Sequence, residues 1–202
     1  MNLRTTALAL VLASTAVFAQ KSKDYASSAG ASERAAMLKT LERGKTMKGS
    51  RDFYEHLPQV SVVALANSSE TPEQALARVG ESGAQVVETK GRLVLFRSGQ
   101  TKAASVQYPG GAGVFPAAVN ARTGALGVLT GTLIVKPKNL ADADAIGASH
   151  GLEKIKAYPQ LQTVLYRAKA KVDIADVSAA LQADPRVESA YPEIIENVRG
   201  PK

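Results

Sequence analysis

Between Gly131 and Glu196 the chain alternates in an order that few folds accommodate. β-Branched and aromatic runs at Thr132 to Lys136, Ile155 to Tyr158, Thr163 to Arg167 and Val187 to Tyr191 predict four strands. Between the first two, Leu140, Ala143 and Gly147 fall on one face of a helix with Ile146 beside them. Between the last two, Ile174, Val177 and Leu181 share a helical face. That second helix opens at Asp173, a good N-cap, and stops before Asp184-Pro185. Two strand-helix-strand units in this order predict an α+β fold: a ferredoxin-like βαββαβ plait over residues 131–196, one antiparallel sheet with both helices on one face. The expected core includes Ile134 or its neighbours Leu133 and Val135, with Ile146, Val164, Val177, Leu181 and Val187.

The remainder reads as a smaller α/β extension in front of the plait. Met1 to Ala19 has the form of a secretory signal: Arg4, a short apolar run from Ala7 to Phe18, and small residues ending at Ala19, where cleavage is expected. The expected location is periplasmic or extracellular, with no membrane association after the signal is removed. Residues 20–57 are polar and form an arm; Ser32 to Met47 is either a helix, with Ala35, Leu38 and Leu41 on one side, or disordered. Residues 58–130 form a βαββ-type module. Val60 to Leu65 is a strand, Thr71-Pro72-Glu73 opens a helix closed by Gly83, and Gln85 to Thr89 pairs with Arg92 to Phe96. Val114 to Val119 and Ala125 to Leu129 are strands joined by residues 120–124. Val128 runs almost unbroken into Thr132, which places both halves in one sheet or against one tight interface. Leu93-Val94-Leu95-Phe96-Arg97 echoes Thr163-Val164-Leu165-Tyr166-Arg167. Either an internal repeat or convergence of two similar hairpins explains the echo.

No stretch assembles an active site, and no metal, cofactor or small-molecule substrate is expected. With no cysteine there is no disulfide framework or thiolate nucleophile. The net charge of +7 is spread along the chain without interleaved aromatics, which argues against nucleic acid as a partner. Gly147-Ala148-Ser149-His150-Gly151 matches G-x-S-x-G, but a helix precedes it and a strand follows, the reverse of a nucleophile elbow. It reads as a helix end, with Gly151 terminating the helix and His150 at its negative pole. His56 and His150 are the only histidines and make a poor metal site. Asp142, Asp144, Asp173 and Asp176 read as helix-face charges.

The C-terminal third also resembles a known family. GTLIVKPKN before a short helix, TVLYRA closing the paired strands, the helix DVSAALQADPRVES and the closing YPEII are similar to the prodomains of subtilisin-like serine proteases, most of all the fervidolysin type. With the chain ending at Lys202, the resemblance implies a free-standing prodomain acting in trans. It would be a non-enzymatic secreted chaperone and inhibitor of a separately encoded subtilisin-like serine protease, similar in kind to the external chaperone of the Aeromonas kexin-like serine protease. In such prodomains, carboxylates on the last strand cap two protease helices. Here Tyr191 stands where the family usually has an acid, and Glu193 where it has the second, so these two are the expected docking residues. The resemblance also places the tail, Asn197, Val198, Arg199, Gly200, Pro201 and Lys202, in the protease cleft, with Lys202 in the primary specificity pocket. An exported protein-binding module without a protease target is the alternative.

Overall fold

Alternating apolar and polar residues run through most of the chain, and in the computed structural model they form one nine-stranded sheet. The structure describes residues 36–97, 113–168 and 173–196. Residues 36–40 are helical (α1), and the Thr40 hydroxyl donates to the Met37 carbonyl at 2.8 Å. From Leu41 onward the chain is a separate compact unit. Its strands are β1 (Thr46–Lys48), β2 (Phe53–Ala64), β3 (Gln85–Lys90), β4 (Leu93–Arg97), β5 (Val114–Asn120), β6 (Leu126–Pro137), β7 (Leu152–Tyr158), β8 (Thr163–Ala168) and β9 (Val187–Ile195). Its α-helices are α2 (Pro72–Arg78), α3 (Ala143–Ser149) and α4 (Ile174–Ala183). Among the described residues every strand pairing is antiparallel, and the class is α+β with few helices.

The sheet runs β3-β4-β2-β5-β6-β8-β7, with β1 on β2 and β9 on β6. The last four strands therefore lie in the order β9-β6-β8-β7. Leu133 and Val135, Val164 and Tyr166, and Val187 and Ala190 share a buried cluster with Ala143 and Ile146 of α3 and Ile174, Ala175 and Leu181 of α4. Both helices thus pack on one face of these strands. Tyr166 is fully buried and its hydroxyl donates to the Ala143 carbonyl at 2.7 Å. Gly147 makes room for that ring, since a Cβ there would lie 3.0 Å from Tyr166 Cε1. Burial pushes the Tyr166 hydroxyl up to about 12.

Local sequence explains the helix ends. Asp173 caps α4 by accepting from the Ala175 N–H at 2.8 Å. Thr71 and Gln74 form a reciprocal capping box at the start of α2. His150 closes α3, followed by Gly151 at φ +65°.

Several positions differ from expectation. The stretch from Ser32 to Met47 is not one helix. It is helical at 36–40 and forms β1 at 46–48, where Met47 is buried in the main core. β2 begins at Phe53, inside the stretch read as an arm, and β9 continues past Tyr191 to Ile195. Of the three candidates on β6, Leu133 and Val135 are core, and Ile134 is half-buried on the opposite face. On α4 the core face is Ile174, Ala175, Ser178 and Leu181, while Val177 packs at its margin. β6 spans Leu126 to Pro137 without a break, so the two halves do share one sheet.

The hairpin echo falls on matched positions of a structural repeat. In the first hairpin Gln85, Val86, Glu88, Thr89 and Lys90 face Arg97, Phe96, Leu95, Val94 and Leu93, with Val87 skipped. In the second Glu153, Lys154, Lys156, Ala157 and Tyr158 face Arg167, Tyr166, Leu165, Val164 and Thr163, with Ile155 skipped. Ser61, Val62 and Val63 lie between Phe96-Leu95-Val94 and Pro116-Phe115-Val114. Leu133, Ile134 and Val135 lie between Tyr166-Leu165-Val164 and Pro192-Tyr191-Ala190. The order β5-β2-β4-β3 repeats β9-β6-β8-β7. Each proline sits beside a register shift, where a residue without an N–H is tolerated.

Leu181 is fully buried against β6 and β9, so Leu181→Ala is expected to cost roughly 2–5 kcal/mol in chemical denaturation. Ile134→Ala, on the half-exposed face, is expected to cost clearly less in the same measurement.

Candidate functional site

Because side chains alternate along a strand, the residues between the core positions of β6, β8 and β9 face away from α3 and α4. Ile134 lies between Leu165 on one side and Tyr191 on the other, and Lys156 flanks Leu165. These four form one cross-strand row: a basic residue at the edge, then three apolar or aromatic residues, all three half-buried. The next row outward carries Lys136, whose ammonium meets Glu188 Oε1 at 2.7 Å. Both side chains are largely exposed, so the pair adds little stability.

Tyr191 and Glu193 both lie on β9, on this face. The Thr130 hydroxyl donates to Glu193 Oε2 at 2.6 Å, and the Thr132 N–H donates to the Thr130 oxygen at 3.2 Å. The carboxylate is thereby held at a defined place on the sheet. The sequence reading put Tyr191 and Glu193 on a docking surface and did not place Ile134 and Leu165 with them. Their signal was present: each alternates with core neighbours, Leu133 and Val135 or Val164 and Tyr166. The tail Asn197, Val198, Arg199, Gly200, Pro201 and Lys202, and the expected cleavage position Ala19, lie outside the described residues.

The G-x-S-x-G stretch ends α3, as its helix-then-strand context requires. The Ser149 hydroxyl donates to the Ala145 carbonyl at 2.8 Å and accepts from Arg186 at 3.2 Å. His150 Nε2 instead lies 2.9 Å from Asp184 Oδ2. Ser149 and His150 thus engage different partners rather than each other, which is not nucleophile geometry. Asp184, 6% exposed, also accepts from Arg186 Nη2 at 2.7 Å and from the Arg186 N–H at 2.9 Å. These contacts tie the end of α3 to the turn between α4 and β9. The Arg186 guanidinium first, and then His150, hold the Asp184 carboxyl well below the usual carboxylate range. Burial lowers His56, which stands on β2 near Asp173 and Lys45. No cluster of metal ligands occurs among the described residues.

Residues 102–201 match the family described as the open reading frame 2 N-terminal domain. One chain of the crystal structure of the Aeromonas sobria serine protease (ASP) and chaperone (ORF2) complex is 22% identical to this chain. That likeness covers 43% of this chain and 83% of the other, with a TM-score of 0.36. The comparison with curated proteins gives no match. The family match takes in the whole stretch that carries the resemblance to free-standing protease prodomains, and bears that resemblance out.

Because the Asp184 carboxyl is held below its ordinary value, the stability from its contacts is complete above about pH 3.9 and is lost as the pH falls further. Asp184→Asn is expected to lower the melting temperature at neutral pH. It is also expected to flatten the decline of melting temperature below about pH 4 relative to the parent chain. Thermal unfolding across the acid range checks both.

Proposed function

We propose that the chain is an exported chaperone and inhibitor of a separately encoded subtilisin-like serine protease, and that residues 131–196 act as a ferredoxin-like plait of the prodomain kind. The observation that carries this reading is the strand order β9-β6-β8-β7 with both helices on one face. It leaves the Ile134-Leu165-Tyr191 row on the opposite face, within the stretch that resembles the prodomains. The family match and the signal-like start support the same reading.

The physical logic has two parts. Subtilase sheets are parallel and rich in non-local contacts, and such sheets fold slowly. A preformed surface that packs on two protease helices stabilises their arrangement before the rest has formed. Glu193, held by Thr130, places a negative charge where a helix N-terminus is favoured. The same contact then delivers the tail. Gly200 carries no side chain to clash with the cleft, Pro201 lowers the cost of ordering, and Lys202 suits a protease that cuts after basic residues. An interface on the order of 1,600 Å² would suffice for tight binding.

Capture with the tagged mature chain from the secretome of its own cells is expected to yield a subtilisin-like protease; capture of other proteins alone rejects the reading. Deleting residues 197–202 is expected to weaken inhibition by more than about tenfold while leaving chaperoned yield largely intact. Glu193→Ala is expected to weaken both. An unchanged inhibition constant in the Glu193 variant removes the capping role.

A further inference from the structure

The last described residue, Glu196, is held by side chains that all come from the first repeat. The Lys90 ammonium, at the end of β3, donates to the Glu196 carbonyl at 3.0 Å and to the Leu126 carbonyl at 2.6 Å. Asn120, at the end of β5 and 1% exposed, donates from Nδ2 to Glu196 Oε1 at 2.8 Å and to Asp52 Oδ2 at 3.2 Å. Its Oδ1 accepts the Arg122 and Thr123 N–H groups at 3.0 Å each, so the side chain cannot turn away without opening the β5–β6 turn. Tyr54 of β2 lies near the same carboxylate. Burial and that carboxylate raise its hydroxyl to about 12. Arg122 in turn holds Asp52 at 2.8 Å. Gly127 lets β9 come close, since a Cβ there would lie 2.6 Å from Ile194 Cγ2.

Backbone pairing alone does not call for this. β9 bonds only to β6, and its last paired residue is Ile195. One residue further on, a carbonyl and a carboxylate are fixed by groups from two other strands. The end of a strand ordinarily frays. Charge-assisted bonds to a buried amide and an ammonium oppose that.

We propose that Lys90 and Asn120 are positioning residues: by gripping Glu196 they fix the point and direction from which the chain continues into residues 197–202. The proposal rests on the reading that those residues enter a protease cleft, and it assigns a task to the first repeat. A fixed Glu196 lowers the ordering cost of binding through the residues that follow it.

The absence of cysteine makes the test direct. Spin labels are placed on the mature chain at Glu153→Cys on β7 and Val198→Cys, and their distance distribution is measured. Lys90→Gln is expected to broaden it roughly twofold, with melting temperature close to the parent's. Should that change unfold the chain, Asn120→Asp, which keeps the Oδ1 contacts but sets a second carboxylate against Glu196, gives the same test. An unchanged distribution in a folded variant overturns the proposal.

The functional arm uses the captured protease. The same variant is expected to weaken inhibition about tenfold in the full chain and to add no loss in a chain truncated after Glu196. Equal loss in both chains means that the grip only stabilises the sheet, and overturns the proposal. If truncation itself changes nothing, the cleft reading falls, while the label distances still decide whether the grip exists.

Discussion

Strand β6 has to satisfy three neighbours with two edges. Its first residues pair with β5, its later ones with β8, and β9 follows the other edge along nearly the whole length. That is possible because the strand is twelve residues long and turns at Gly131, where φ is +82° and a side chain would be strained. The β9 register shifts at the same place, between Leu129 and Leu133. The core beneath α3 and α4, the outward row at Ile134 and the meeting of the two repeats all depend on this one strand. Met47, Ala118 and Leu129 reach into the same core as Leu133 and Leu181, so the halves are joined through packing as well as through hydrogen bonds.

The sequence made the C-terminal strand and helix order legible because each element there is bounded by its own signal. Asp173 caps, Pro185 stops and Gly151 terminates. It left the facing of β6 open because Leu133, Ile134 and Val135 are all apolar, and only pairing with Tyr166, Leu165 and Val164 decides which side each takes. Val177 looked like core by spacing, yet Ser178 is the buried residue and Val177 packs at the margin. β1 was beyond reach: Thr46 and Lys48 are exposed, and one buried Met47 makes no pattern.

The candidate site divides the same way. Tyr191 and Glu193 followed from resemblance to a motif, and Thr130, which holds Glu193, lies 63 residues away in the chain. The grip on Glu196 is more remote still. Lys90 is 106 residues distant and Asn120 76, and neither carries a local mark of its partner. Residue types can announce a cap or a turn, because those interactions are local. A polar contact between distant strands becomes visible only when the register is known.

The skipped residues Val87 and Ile155 have a further consequence. Each lies on an outermost strand, β3 or β7, and each breaks the regular spacing of backbone groups along that margin. Exposed lysines add to the effect on β7, where Lys154 and Lys156 flank Ile155. A strand from another molecule docking edge-on would meet a kink at either end of the sheet, and charge as well at β7. An unprotected margin would invite loose strands of other chains to add to the sheet and aggregate. Contact is thereby steered from the margins to the broad surface of the sheet.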